Sequence, residues 1–304
     1  MIKVGCCGFP TSMSKYFETF NLVELNTTFY RYPHLETVEG WRAKAPKDFE
    51  FTVKAHQDIS HKAKLKVETS LQAFEKMKQI CKALKAKVML IQTPSSFKPN
   101  MLKDAERFFQ AVALEKLTLV WETRGPAWET LEARKKLGQV LEKCNVSHVT
   151  DPLKAAPAYT SEVAYFRLHG LGKRLYYYQY SDSELQRLKM LVAPYDGKGK
   201  NVYVLFNNLA MFTDGLRFLT YLTKGFFPKI TSKTSLGSIT EVVEKTQYPA
   251  TKAMLIKKIG WKLVEPKEGE QTFLETLLKR IPAKKYRNAE ELKSEIMRVN
   301  KISY

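Results

Sequence analysis

Polar side chains recur at or just past the ends of short apolar runs, and their types define what chemistry the chain could do. Glu24, Glu122 and Asp151 are carboxylates able to ligate a hard divalent cation or to accept a proton, and His169 can ligate or shuttle protons. Lys54, Arg124 and Arg167 are cations suited to an anionic group. Asn26, Gln92, Asn207 and Asn208 add neutral hydrogen-bonding groups, and Tyr178 adds a ring that can stack on a base or a sugar face. The set fits a centre in which Glu24, Glu122, Asp151 and His169 hold Mg²⁺ or Mn²⁺ or serve as base, while Lys54, Arg124 and Arg167 bind phosphate.

Other residues carry weaker signals. His56 and His61 flank a short loop and are second-tier candidates, whereas His34 beside Pro33 reads as a loop residue and His148 as a satisfied core or surface histidine. Cys6 and Cys7 before Gly8 read as small residues filling tight space, without a catalytic role. Asp151-Pro152 has the composition of a turn start. Lys173-Arg174 followed by Tyr176-Tyr177-Tyr178 and Tyr180 interleaves cations with rings, which suits nucleic-acid contact or a loop packing its own aromatics. Walker A, GxGxxG and HExxH patterns do not occur, which removes the signatures of a P-loop, a Rossmann dinucleotide site and a zincin.

The elements that must position these residues are eight predicted strands: Ile2 to Val4, Leu22 to Leu25, Phe49 to Val53, Val88 to Ile91, Leu117 to Trp121, Ser147 to Val149, Ala164 to Leu168 and Val202 to Phe206. Helical stripes separate most of them. After the third strand, Leu71, Phe74, Cys81 and Leu84 share one stripe, with Lys76, Lys78, Lys82 and Lys85 elsewhere as a solvated face. Further helices are expected over Met101 to Leu114, Leu131 to Leu141, Ser183 to Leu191, opened by the capping box Ser181-Asp182-Ser183-Glu184, and Met211 to Leu222. Pro152 to Ser161 lacks a stripe and reads as a loop or one short turn. Eight strands with mostly helical crossovers predict an α/β fold, a closed (β/α)8 TIM-like barrel, although a doubly wound open sheet has a similar pattern. In such a barrel the polar residues above all meet at the carboxyl-end mouth.

The barrel is expected over residues 1–228 and a small basic C-terminal helical domain over 236–304, with a polar linker at Thr231 to Ser235. Two stretches of similar outline follow, one around Tyr248-Pro249-Ala250 and one around Pro282-Ala283 and Tyr286, and they suggest an internal duplication. From Lys229 onward there are 16 Lys and Arg against 9 acids.

Fifty Lys plus Arg against 31 Asp plus Glu leave a net charge of +19 on 304 residues, with 44% hydrophobic content. Such a chain is neither disordered nor fibrous, and its excess charge favours polyanionic partners without selecting a fold. Four scattered cysteines exclude a disulfide framework and a zinc-site spacing. The N-terminus runs straight into a strand pattern, and no run of eighteen apolar residues follows, so a soluble cytoplasmic protein with no membrane partner is expected. The oligomeric state is left open.

Several of these residues fall in a recognisable order. The chain resembles the YecE-like family, domain of unknown function 72, through Gly5-Cys6-Cys7-Gly8-Phe9, Val23-Glu24-Leu25-Asn26-Thr27-Thr28-Phe29-Tyr30 and Phe51-Thr52-Val53-Lys54-Ala55 with Ser60-His61. The resemblance continues through Gln92-Thr93-Pro94-Ser95-Ser96-Phe97, Glu122-Thr123-Arg124 with Ala127-Trp128, Tyr165-Phe166-Arg167-Leu168-His169-Gly170 with Tyr178 and Tyr180, and Phe206-Asn207-Asn208. These segments run in order from residue 1 to about 222. The family usually has Thr-Ser where Cys6-Cys7 stand and Phe where Thr123 stands. The resemblance implies a TIM barrel and assigns no activity.

The expectation from the residues is a nucleic-acid-directed hydrolase, in which metal-bound water attacks a phosphodiester of DNA or RNA. Two alternatives belong to other classes. A carbohydrate or phospho-sugar enzyme would use Glu24 and Glu122 as an acid and base pair, with Trp128 or Tyr178 as a sugar platform. A non-catalytic protein would hold nucleic acid through its basic tail and tyrosine loop.

Overall fold

A computed structural model describes residues 1–302. All eight expected strands are present: β1 (Ile2–Cys7), β2 (Leu22–Leu25), β3 (Glu50–Lys54), β4 (Val88–Gln92), β5 (Thr118–Glu122), β6 (Ser147–His148), β7 (Val163–Leu168) and β8 (Asn201–Phe206). They form one parallel sheet in the order β6-β5-β4-β3-β2-β1-β8-β7. A lone parallel bridge from Thr150 to Phe166, with the Arg167 N–H donating to the Thr150 carbonyl at 3.0 Å, brings the two edges together. The sheet is therefore a nearly closed TIM-like barrel rather than an open doubly wound sheet.

Its apolar interior includes Cys7, Leu22, Val88, Leu90, Val120, Tyr165 and Leu205. At Gly5 the wall is so tight that a Cβ would lie 2.3 Å from the Leu22 carbonyl oxygen, so β1 and β2 approach as they do only because this residue has no side chain.

Between the strands lie α1 (Met13–Phe17), α2 (Thr27–Tyr30), α3 (Leu35–Lys44), α4 (Val67–Leu84), α5 (Leu102–Ala111), α6 (Leu131–Cys144) and α7 (Asp182–Gly197). A π-helical turn, Asp58–Lys62, follows β3. In α4 the stripe buries Phe74, Met77, Ile80, Cys81 and Leu84, while Leu71, expected inside, is exposed. α3 escapes sequence reading because only Val38 in it is buried. The β6 to β7 crossover holds turns and no helix, as expected. The capping box of α7 forms: the Glu184 N–H donates to Ser181 Oγ at 3.3 Å, and the Ser181 N–H donates to the Glu184 carboxylate at 2.8 Å.

The chain forms two compact units, one of residues 1–168 and 187–207 and a second of residues 169–186 together with Asn208 onward. The second contains α8 (Met211–Lys224), α9 (Leu236–Glu244), β9 (Ala250–Thr251), α10 (Lys252–Ile259), β10 (Leu263–Lys267), β11 (Glu270–Phe273), α11 (Leu274–Leu278), β12 (Lys285–Tyr286) and α12 (Ala289–Asn300). The tail is helical as expected and adds two small antiparallel ladders, β10 with β11 and β9 with β12. β9 and β12 each follow one of the Pro-containing turns that suggested a duplication. Each also precedes a helix capped by a side chain, Thr251 for α10 and Asn288 for α12. Ile239, Val243, Leu255, Leu274, Leu278 and Tyr286 are in the core they share. No helix among the described residues is long and apolar enough to cross a membrane.

Candidate functional site

β2, β5 and β7 bring three of the expected residues into direct contact. Arg167, the penultimate residue of β7, is 1% exposed, and its Nη2 donates to Glu24 Oε1 at 2.8 Å. Its Nη1 donates to Glu122 Oε2 at the end of β5. Tyr165, two positions earlier on the same strand, donates its hydroxyl to Glu24 Oε2 at 2.9 Å and sits 2.7 Å from Thr52 Oγ1 on β3. Arg124 Nη2 lies 2.8 Å from Glu122 Oε1. One connected network therefore runs Thr52, Tyr165, Glu24, Arg167, Glu122, Arg124.

Electrostatics decides what this network can do. Burial alone would lower the Arg167 pKa, but the acidic groups facing it, Cys7, Glu24 and Glu122, reverse the sign and leave the net shift upward. Burial also pushes the Cys7 thiol well up, so that thiol is neutral near neutral pH and the two carboxylates carry the effect. Glu24 and Glu122 are thus occupied as carboxylates by arginines and a tyrosine. This arrangement suits a rigid scaffold better than an acid and base pair of the glycosidase kind.

Lys54, the last residue of β3, stands apart from that network. It is buried, its Nζ lies 4.0 Å from the Phe29 ring centroid, and no carboxylate is in ion-pair range of it among the described residues. Burial, then the Arg167 charge, lowers its pKa to about 8 against the opposing pull of Glu24 and Glu122. Thr28 Oγ1 donates to the Lys54 carbonyl at 2.7 Å and to the Leu25 carbonyl at 2.9 Å, tying the ends of β2 and β3 together. His61, on the π-helical turn, packs its ring 4.9 Å from Phe29 and pairs its Nδ1 with Ser60 Oγ at 2.9 Å. Burial, then Lys54, lowers the His61 pKa.

Beside this turn lies a groove of about 670 Å³ lined by Tyr32, Asp58, Lys62, Lys64, Lys66 and Lys76 among others. Four lysines there face a single carboxylate. Asp58 accepts from Tyr32 Oη at 3.0 Å and pairs with Lys62 at 2.8 Å. The Tyr32 ring stacks on His56 at 3.9 Å. Burial lowers the His56 pKa, and its Nδ1 accepts the Asp58 N–H at 3.2 Å.

The remaining expected residues are placed differently. Asp151 opens the turn after β6, its Oδ1 accepting the Leu153 N–H at 3.1 Å. Asn26 precedes α2 without a side-chain cap bond, Gln92 ends β4 in register with Glu122, and the Asn207 N–H donates to the Leu168 carbonyl at 2.8 Å. Trp128, offered as a sugar platform, is buried against Phe97 and Trp121 and donates its Nε1 to the Phe97 carbonyl at 2.9 Å. That packing removes it as a platform. His148, expected as a satisfied core or surface histidine, is buried, with the Ala158 N–H on Nδ1 at 3.1 Å and Thr123 Oγ1 at 3.2 Å from Nε2.

His169, Tyr178 and Asn208 belong to the second unit. The His169 carbonyl accepts the Tyr176 N–H at 3.1 Å, and its ring lies 5.9 Å from that of Tyr176. Tyr178 is buried, with its hydroxyl 2.5 Å from Glu184 Oε1 and its ring 5.2 Å from Phe273. At Gly170, with φ +92°, a Cβ would lie 2.4 Å from the Tyr178 Cβ, so this close packing requires glycine. Asn208 Nδ2 donates to the Tyr178 carbonyl at 2.8 Å and to Asp214 Oδ2 at 2.7 Å. Much of the tyrosine loop therefore packs on its own unit.

The metal expectation does not fit these donors. No group of three or more His, Cys, Asp or Glu side chains among the described residues is placed to hold an ion. Of the three carboxylates expected to hold Mg²⁺ or Mn²⁺, Glu24 and Glu122 are bound by arginines and Asp151 accepts the Leu153 N–H. Residues to which sequence reasoning gave no place in the site are Tyr165, Thr52, Phe29 and Tyr32. Tyr165 carried a legible signal, since it sits two positions before Arg167 on one strand and so shares its face.

Comparison with known proteins supports the architecture. A family model described as "Protein of unknown function DUF72" matches residues 8–224. The UPF0759 protein YecE of Escherichia coli K12 is 45% identical over 56 residues, 18% of this chain and 21% of the relative, so the match spans about a fifth of that protein's length. A crystal structure of a DUF72 family protein from Enterococcus faecalis V583 superposes with TM-score 0.61 at 24% identity, covering 73% of this chain and 97% of that one. Another, from Thermotoga maritima MSB8, gives 0.58 at 22% identity over 74% and 100%. At these identities the likeness shows the fold.

Proposed function

The chain belongs to the DUF72 family, which is defined without an activity, and from its own residues we propose that it binds nucleic acid and breaks the phosphodiester backbone at the barrel mouth. The observation that carries this reading is the groove of Lys62, Lys64, Lys66 and Lys76 around Tyr32, which begins a few residues beyond Lys54 on the loop after β3. Lysines spaced along a groove neutralise successive phosphates, and a ring among them offers a stacking face. The net charge of +19 supports a polyanion over a small neutral ligand.

In this reading the groove holds the backbone, while Arg124 meets the phosphate at which the bond breaks. Arg167 acts differently from the expectation: with both Nη nitrogens given to carboxylates, it holds Glu24 and Glu122 in place. No step is assigned to a metal, because the donor set does not fit one.

Electrophoretic retardation and cleavage of labelled single- and double-stranded DNA and RNA test the proposal. Binding should weaken linearly in log-log form as salt rises, and Lys62→Gln/Lys64→Gln/Lys66→Gln should weaken it further. Absence of binding to all four polymers at low salt would remove the reading.

A further inference from the structure

Lys54 has the surroundings of a nucleophile rather than of an ion-pair partner. Its backbone is pinned by Thr28, its ammonium rests on the Phe29 ring, and the two carboxylates that could have held it charged are taken up by Arg167, Arg124 and Tyr165. The titratable and charged groups that bear on it are Arg167, Glu24, Glu122, Cys7 and His61. A buried primary amine, kept near a cation and away from free carboxylates, presents its lone pair to a carbonyl carbon. Lys62, on the same turn as His61, and the lysines of the groove beside that turn favour a carbonyl compound that carries phosphate.

From this geometry we infer that Lys54 forms an imine with a phosphate-bearing aldehyde. The inference rests on the nucleic-acid reading in one respect: in nucleic acid, this chemistry is offered by the ring-opened sugar at a position that has lost its base.

The step balances without a metal, an oxidant or a reductant. The Lys54 nitrogen attacks the aldehyde carbon, a C–N bond forms, and the carbonyl oxygen takes up a proton. Loss of that oxygen as water leaves an iminium. The iminium acidifies the adjacent C–H; a base takes that proton, and the C–H electrons form a C=C bond as the phosphate on the next carbon departs with its C–O pair. His61, neutral because burial lowers its pKa, packs on the same Phe29 ring and serves as that base. Water then cleaves the imine and returns the free amine with an unsaturated aldehyde. Backbone cleavage by this route is elimination rather than hydrolysis, and it accounts for a phosphodiester-breaking site whose carboxylates are committed to arginines.

Borohydride trapping tests the inference on the full chain. The protein is incubated with an oligonucleotide carrying one abasic site, or with glyceraldehyde 3-phosphate, in cyanoborohydride, and the adduct is located by intact mass and peptide mapping. Mapping the wild-type adduct identifies the lysine without relying on any variant to fold. The expected result is a single adduct on Lys54 whose rate climbs as pH rises through about 8. In Lys54→Arg and Lys54→Met, trapping should fall by roughly tenfold or more. No adduct with either aldehyde, or one spread over surface lysines and unchanged in the variants, overturns the inference. Trapping of the sugar phosphate but not of the oligonucleotide keeps the Lys54 chemistry and removes the nucleic-acid reading. Salt-sensitive binding of undamaged nucleic acid with no trapping does the reverse.

Discussion

Nη2 of Arg167 and Oε1 of Glu24 lie 2.8 Å apart although 143 positions separate them in the chain, and both side chains are almost fully buried. The same guanidinium holds Glu122, so one cation fixes two carboxylates on two other strands. Removing it leaves Glu24 buried beside Tyr165 without that cation, and Glu122 with Arg124. Arg167→Met should therefore cost about 3–5 kcal/mol, measured by urea unfolding, while Glu24→Gln/Glu122→Gln/Arg167→Met should recover much of that loss. A single variant as stable as the wild type would show that the network contributes little.

Lys54 gives a pH dependence of the opposite kind from an ordinary lysine pair. Its folded pKa of about 8 lies below the usual 10.5, so the folded state is handicapped below about 8, where the buried amine must be charged. Between those values the unfolded chain holds the proton and the folded one does not, so stability rises with pH. Lys54→Met should raise stability at neutral pH by on the order of 1–3 kcal/mol, with the gain fading above the unfolded pKa. Thermal unfolding at several pH values reads this directly.

On the acid side, His148 is the group to watch. Burial, with a smaller contribution from Arg134, depresses its pKa from 6.5 to about 4. A neutral buried histidine contributes stability that is full above 6.5 and is lost as pH falls toward 4, up to about 3 kcal/mol. In His148→Gln the slope of stability against pH across that window should flatten. An unchanged slope would place the acid sensitivity in other groups.

The lysine groove has a signature in salt. Each phosphate contact removed should reduce the slope of log K against log salt by about 0.9 on duplex DNA, so the triple Gln variant at Lys62, Lys64 and Lys66 should lose about 2–3. An equal triple at Lys82, Lys85 and Lys116, which line a separate cleft on the barrel unit, should change the slope far less.

Gly5 tests the barrel wall. With the Leu22 carbonyl oxygen 2.3 Å from where a Cβ would stand, Gly5→Ala must push β1 from β2, and about 1–3 kcal/mol or more of destabilisation is expected by chemical denaturation.

The sequence by itself determined the eight strands and most of the helices between them, because periods of two and of 3.6 are local properties that a short window reveals. It also located Glu24, Lys54, Glu122 and Arg167 near strand ends. It missed α3, where one buried residue makes no stripe, and placed Leu71 inside when it is exposed. Tertiary structure alone decided that Glu24 and Glu122 share one arginine, and that Lys54 is left with a phenyl ring as its neighbour. It also decided that residues 169–186 group with the tail. These are pairings across strands far apart in the chain. Charge sets which partners attract, but only the closing of the barrel sets which ones come within reach, so the same residue types are legible as a list long before they are legible as a site.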